Sequence, residues 1–226
     1  MIDIAGNVRK LCSELPSGVV VVAVSKTKPV EEIMVAYDAG HRIFGENRVQ
    51  ELVDKQPIMP RDIKWHMIGH LQTNKVKYIA GFVEMIHSVD SLKLLGAIDK
   101  EAAKAGRKIK CLLQFHIAKE DTKFGFSYDE VATFIEGGAL DELSNIELSG
   151  VMGMATFTED LDLVRSEFRQ LKDIFDKLKT SFFLTDNSFR EISMGMSGDY
   201  QVAIEEGSTI IRVGNSIFGE RNYQSG

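Results

Sequence analysis

Eight short apolar segments, separated by amphipathic stretches, constrain the fold of this chain more than any other feature. Most are rich in β-branched residues, as the strands of buried parallel sheets are. The segments cover residues 19–25, 42–44, 63–68, 84–89, 109–117, 146–154, 191–194 and 209–214. The clearest helical pattern spans 159–179, with an apolar stripe formed by Leu161, Val164, Phe168, Leu171, Ile174, Phe175 and Leu178.

Strands that alternate with helices predict an α/β protein with a parallel sheet. Eight such units in 226 residues predict a (β/α)8 TIM barrel at the short end of its size range, forming a single domain over residues 1–226. A flavodoxin-like or Rossmann sheet is the alternative. That fold expects a glycine-rich turn after the first strand, but "SKTKPVEE" (25–32) contains no glycine.

Composition excludes several classes of partner. The formal net charge of −6 gives no electrostatic footprint for nucleic acid or an anionic membrane. No segment approaches the roughly 18 apolar residues of a membrane span, and the N-terminus lacks a signal-peptide core. Cys12 and Cys111 lie far apart in the sequence, are expected to be small core residues, and fit a reducing compartment. These features predict a soluble cytoplasmic protein.

Lys26 directly follows the first predicted strand. Active sites of TIM barrels lie at the carboxyl ends of the strands, and a desolvated lysine loses its charge readily. A neutral amine can attack a carbonyl to form a Schiff base. The amine could therefore serve an aldolase-type imine with a substrate or an internal aldimine with pyridoxal phosphate. A solvated surface lysine is the ordinary alternative.

The loops after the seventh and eighth strands have the composition of a phosphate site. Ser197 and Gly198 precede a predicted helix, and Gly214 and Asn215 follow the last strand. Glycines let backbone N–H groups approach an anion, and these two loops usually hold phosphate in a TIM barrel. The alternative is that Ser197 only caps the helix.

Arg212 lies inside the last apolar segment, where an unpaired charge is costly. It therefore needs a strong acceptor, and a pyridine nitrogen is one. A ring nitrogen facing arginine stays unprotonated, which makes the ring a weaker electron sink. A structural salt bridge to an acidic residue such as Glu46 remains equally open.

Three histidines, His66, His87 and His116, fall near the ends of the third, fourth and fifth strands. A metal-dependent hydrolase is therefore conceivable. However, no HxH pair or well-placed carboxylate accompanies them, so histidines of the core or of a cofactor wall are favoured.

Several stretches taken together resemble one family, the YggS/PROSC pyridoxal phosphate homeostasis proteins. They are "VVVVAVSKTKPVEEI", "HRIFGENRVQEL", "WHMIGHLQTNKVKYI", "HSVDSLKL", "LSGVMGMAT" and "SMGMSGDYQVAIEEGSTIIRVGNSIFGER". The resemblance implies a barrel of the alanine racemase N-terminal type (fold type III) with pyridoxal 5'-phosphate as an aldimine on Lys26. It implies that Arg212 faces the ring nitrogen, and that the phosphate is held by Ser197, Gly198, Gly214 and Asn215. Asn47 and His66 match family positions that line the cofactor.

The resemblance also implies a carrier that buffers or delivers the cofactor, with pyridoxal phosphate-dependent apoenzymes as partners, and a monomer. A two-base racemase needs a second proton donor, which alanine racemases take from a tyrosine of an additional β-domain. This sequence ends seven residues after Gly219, and Tyr223 lies in that tail, so no catalytic partner of Lys26 is expected. A small racemase or eliminase, and an aldolase of a phosphorylated sugar, are the alternatives.

Overall fold

The structure is a computed structural model that describes residues 2–119 and 125–219. Within them, strands and helices alternate along the chain. The strands are β1 (Val20–Val24), β2 (Ile43–Glu46), β3 (Lys64–Met67), β4 (Met85–Val89), β5 (Ile109–Gln114), β6 (Ile146–Met152), β7 (Glu191–Ser193) and β8 (Ile210–Val213). The α-helices are α1 (Ile4–Glu14), α2 (Val30–Asp38), α3 (Val49–Lys55), α4 (Leu92–Lys104), α5 (Tyr128–Glu136), α6 (Leu161–Ser181), α7 (Tyr200–Glu205) and α8 (Asn215–Phe218). Short 3-10 helices cover Gln56–Ile58 and Thr73–Tyr78.

The eight strands form a closed parallel barrel in chain order. Closure is made by β1 and β8, where Val22 pairs with Arg212 in register. This arrangement confirms the predicted TIM barrel and excludes the open Rossmann-like sheet. Each predicted apolar segment contains or overlaps one strand. Closure of the barrel places β1, which Lys26 follows, beside β8, which contains Arg212.

Apolar side chains form two layers around the strands. A small cluster is made by Val22, Ile68, Met85, Leu112, Met152 and Ile210 from different strands or their ends. A much larger cluster joins the strands to the helices. This division is what a barrel needs, because strand residues alternate between its inside and its outer helical ring.

The longest helix, α6, follows the predicted stripe with one exception. Phe168, Leu171 and Leu178 are fully buried, and Asp160 caps the helix by accepting from the backbone N–H groups of its first turn. Leu161 was expected in the stripe but is 52% exposed, because it occupies the first turn, beyond the edge of the core.

A bulge in β6 depends on glycine. Cys111 pairs with Leu148 but Leu112 pairs with Gly150, so Ser149 is an extra residue in β6. Gly150 has φ +149, and a Cβ there would lie 1.8 Å from the backbone oxygen of Glu191 in β7. Only glycine allows β6 and β7 to approach this closely.

The two cysteines differ in environment. Cys111 is buried in β5 as expected, and burial raises the pKa of its thiol. The expectation for Cys12 was wrong: it lies exposed on α1, whose buried face is formed by Ile4, Val8 and Leu11. In the described part of the chain, no helix combines the length and apolarity needed to cross a bilayer.

Candidate functional site

A cavity of about 400 Å³ opens at the carboxyl ends of the strands, where a TIM barrel places its chemistry. Its wall includes residues from the loops that follow β1, β2, β3, β6, β7 and β8. Seven of the eight residues predicted from the sequence line it: Lys26, Asn47, Ser197, Gly198, Arg212, Gly214 and Asn215.

Lys26 occupies a tight turn directly after β1. The backbone N–H of Lys28 donates to the oxygen of Ser25 (3.0 Å), which closes the turn around Lys26 and Thr27. Thr27 has φ +63, the only positive φ of a non-glycine residue among those described. A β-branched residue in this conformation is strained, so other contacts must hold the turn that carries Lys26.

A buried ionic cluster behind the turn supplies those contacts. Glu51 accepts a hydrogen bond from the backbone N–H of Thr27 (2.7 Å), and Glu46 accepts one from the hydroxyl of Ser25 (2.6 Å). The amine of Lys55 donates to both carboxylates, at 2.8 Å for Glu46 and 2.9 Å for Glu51, and to the backbone oxygen of Ser25 at 3.0 Å. The residues on both sides of Lys26 are therefore fixed from behind.

Burial dominates the electrostatics of this cluster. Desolvation raises the pKa of Glu46 to about 7, although its hydrogen bond and ion pair with Lys55 oppose the shift. Glu46 is fully buried and its Oε2 has no hydrogen-bond partner among the described residues. Its ion pair with Lys55 also answers a question left open by the sequence, because the partner of Glu46 is Lys55 and not Arg212.

The loops after β7 and β8 meet through Ser197. Its Oγ accepts from the backbone N–H groups of Gly214 (3.2 Å) and Ser216 (3.5 Å). Ser197 is therefore not the helix cap that the sequence left open, since the N-cap of α7 is Asp199. The hydroxyl of Ser197 lines the cavity together with Gly198, Gly214 and Asn215, and a Cβ at Gly198 would meet open space. This is a set of groups that suits an anion.

Arg212 forms part of the cavity wall with a side chain that is almost entirely buried. Its Nη1 donates to Ser193 Oγ (2.6 Å) and its Nη2 to the backbone oxygen of Gly153 (3.0 Å). Burial lowers the pKa of Arg212 to about 10, with the nearby Asp199 acting in the opposite direction. The group is still a cation at neutral pH, and both acceptors are uncharged.

His66 is the one predicted site residue that the wall does not include. It is buried in β3, with Nδ1 2.9 Å from Nε2 of His87 in β4. Desolvation lowers the pKa of His66 to about 3 and that of His87 well below its usual value, so both rings are neutral. The contact of His66 with a cofactor stays a prediction. His116 lies in a separate groove with Phe126 and Tyr128, and the described residues contain no group of three metal-binding side chains.

The loop after β6, which contributes Thr156 to the cavity wall, is held by a buried residue that the sequence did not lead us to expect. Glu167 of α6 is 3% exposed and accepts from the backbone N–H and hydroxyl of Thr156, at 2.7 and 2.8 Å, and from the backbone N–H of Lys119 at 3.1 Å. A signal was present, because Glu167 stands between Val164 and Leu171 on the apolar face of α6. A carboxylate on such a face requires donors.

Comparisons with known proteins assign the chain to a family. The family model for the N-terminal domain of alanine racemase matches residues 2–222. The pyridoxal phosphate homeostasis protein of Aquifex aeolicus is 38% identical over 221 residues, which are 96% of this chain and 95% of that protein.

Solved structures give the same picture. PipY of Synechococcus elongatus, determined with PLP bound, shares 36% identity and a TM-score of 0.86 over 96% of this chain and 100% of its own. An alanine racemase of Clostridium difficile has a TM-score of 0.76 at 16% identity, covering 98% of this chain and 57% of that one, which shows a shared fold. Because the family model and the homeostasis protein both match nearly the whole sequence, this chain belongs to the alanine racemase N-terminal domain family, among the pyridoxal phosphate homeostasis proteins.

Proposed function

We propose that this chain binds pyridoxal 5'-phosphate in the cavity at the strand ends, holds it through a Schiff base to Lys26, and acts as a carrier that buffers or delivers the cofactor. One observation carries the proposal. Lys26, the buried Arg212 and Ser197 with its neighbouring glycines all line one cavity. An aldehyde, a ring nitrogen and a phosphate require these three kinds of group.

The cavity also fits such a molecule in size and polarity. Its volume of about 400 Å³ lies within the range of roughly 300–1,000 Å³ typical of small-molecule sites. Val24, Ile68 and Met196 supply apolar surface for an aromatic ring. Arg212 supplies a cationic donor for the ring nitrogen, and the Ser197 loop supplies uncharged donors for the phosphate.

Each group of the chain has a separate task. When bound, pyridoxal phosphate supplies an aldehyde whose carbon joins an amine as a Schiff base, with release of one water. The turn at residues 25–28 presents the amine of Lys26. Arg212 would donate to the ring nitrogen without giving up a proton, which would keep the ring a weak electron sink. The loops at Ser197 and Gly214 would bind and orient the phosphate.

The proposed role is holding rather than turnover. In the described part of the chain, no tyrosine lines the cavity: Tyr37, Tyr78, Tyr128 and Tyr200 lie in or next to helices. Tyr223 lies outside the described residues. Arg212 opposes carbanion chemistry, and the curated relatives carry names that describe homeostasis. We propose pyridoxal phosphate-dependent apoenzymes as the recipients.

A spectral titration tests the proposal. Purified protein freed of ligand is titrated with pyridoxal 5'-phosphate, and the visible band of a Schiff base should reach one equivalent. Lys26→Ala should lose the band while its circular dichroism stays unchanged.

Lys28→Ala is the matched control, because Lys28 also lines the cavity but its amine donates to the backbone oxygen of Phe218 (3.1 Å) and forms an ion pair with Glu32 (3.2 Å). This variant should keep the band. A full band in Lys26→Ala, or none in the unaltered protein, contradicts the proposal.

A further inference from the structure

Four buried side chains form a continuous hydrogen-bonded chain across the barrel interior, which we call the interior chain: Arg212, Ser193, His87 and His66. Arg212 of β8 donates to Ser193 Oγ of β7 (2.6 Å), and that oxygen lies 2.9 Å from Nδ1 of His87 in β4. His87 Nε2 is 2.9 Å from Nδ1 of His66 in β3. None of the four is more than 4% exposed.

The chemistry of the first member sets the direction of every hydrogen bond that follows. A guanidinium has donors and no acceptor, so Ser193 Oγ must accept from Arg212. In the described structure the side chain of Ser193 has one other hydrogen-bonding neighbour, His87 Nδ1, and its own proton therefore points there. A neutral His87 then carries its proton on Nε2 and donates it to Nδ1 of His66.

The electrostatics support this single arrangement of protons. Burial keeps both imidazoles neutral by lowering their pKa, to about 3 for His66. A second cation next to Arg212 is thereby avoided. The guanidinium of Arg212 is fixed by two acceptors, Ser193 Oγ and the backbone oxygen of Gly153. Both are uncharged, so these two contacts compensate its charge only through their dipoles. They use two of its five N–H donors.

We propose that Ser193 and His87 are positioning residues of the cofactor site, and this rests on the proposed function. They accept in sequence from Arg212, orient its guanidinium on the cavity wall, and direct a donor at the bound ligand. The part of the cavity wall formed by Arg212 therefore favours a ligand that offers an unprotonated ring nitrogen as acceptor. A ligand with C–H at that position leaves the donor of Arg212 without a partner.

Nitrogen NMR of the imidazole rings tests the interior chain without any cofactor. The expected result is that His66 and His87 are both neutral and protonated at Nε2 near neutral pH. Ser193→Ala should shift the Nδ1 signal of His87, and Ser193→Thr, which keeps the hydroxyl, should restore it. Ser149→Ala is the matched control, a buried strand serine whose hydroxyl contacts Glu147 instead. Protonation of His87 at Nδ1, or signals unchanged in Ser193→Ala, overturns the inference.

Binding of two ligands tests its consequence. Pyridoxal 5'-phosphate should bind the unaltered protein about tenfold to 150-fold more tightly than its 1-deaza analogue, which is the effect of one net hydrogen bond to a charged donor. Ser193→Ala should reduce this ratio towards one, and Ser193→Thr should recover it. Ser193→Cys gives the same comparison at nearly equal volume should the alanine variant unfold.

The two proposals fail differently. Absence of any pyridoxal phosphate binding by the unaltered protein contradicts the proposed function. Normal binding with the same ratio in all the serine variants contradicts only the role of the interior chain.

Discussion

Replacing Lys55 by methionine tests the ionic cluster behind the Lys26 turn. Lys55 is 8% exposed, and its amine makes three hydrogen bonds, to Glu46, Glu51 and the backbone oxygen of Ser25. Methionine has a similar length and no charge, so the substitution removes the cation with little loss of packing. Glu46 is then a fully buried carboxylate without its counter-ion.

The expected cost depends on pH. Breaking a buried ion pair costs about 3–5 kcal/mol of unfolding free energy when the remaining charge stays buried, and this should be seen at about pH 8. The pKa of Glu46 is about 7 against an ordinary value of 4.5, so ionising it already lowers stability as pH rises through 7. Losing Lys55 raises that pKa further. At about pH 5, where Glu46 is protonated in both proteins, the cost should fall to about 1–2 kcal/mol.

Urea unfolding followed by circular dichroism at both pH values measures this difference. Lys110→Met is the control, because Lys110 forms a surface ion pair with Glu84 at 2.9 Å and its side chain is 43% exposed. Its loss should stay below about 1 kcal/mol at both pH values. A cost for Lys55→Met that is equal at the two pH values, or no greater than that of the control, refutes the reasoning.

Three further predictions concern other parts of the barrel. Gly150→Ala should lower the unfolding free energy by about 3 kcal/mol or more in urea titrations, since the new Cβ would lie 1.8 Å from the oxygen of Glu191; a loss below about 1 kcal/mol speaks against the bulge. Burial lowers the pKa of His66 from 6.5 to about 3, so the unfolding free energy should fall by up to about 1.4 kcal/mol per pH unit as the pH drops from 6.5 towards 3. His66→Gln should flatten this dependence on pH, and an unchanged slope contradicts the burial of a neutral imidazole. Phe157→Ala should change the thermal unfolding free energy by less than about 0.5 kcal/mol because Phe157 is 95% exposed, and a larger loss contradicts that exposure.

The sequence was sufficient for the architecture because periodicity is a local property. Each strand lies within or overlaps its predicted apolar segment, and the predicted helix at 159–179 is α6. Helix ends were less predictable. Leu161 fits the period but lies in the first turn of α6, beyond the edge of the core.

The sequence predicted those site residues whose type is unusual for their position. Lys26 and Arg212 stand out as charges at or inside apolar segments, and the Ser197 loop by its glycines. Their partners were not predictable, because spacing in sequence gives no distance across a barrel. His87 and Ser193 are separated by 106 positions and meet at 2.9 Å only because β4 and β7 face one interior. Likewise, the choice of Lys55 as the partner of Glu46 depends on how α3 packs beside β2.

The central claim is that the amine of Lys26 is the atom that holds pyridoxal phosphate. Borohydride reduction of the loaded protein makes the linkage permanent, and peptide mass mapping then locates it. The account predicts a pyridoxyl-phosphate adduct on the peptide containing Lys26 at near one equivalent, with Lys28 unmodified. An adduct mainly on another lysine, or no adduct on a protein shown to bind the cofactor, would contradict it.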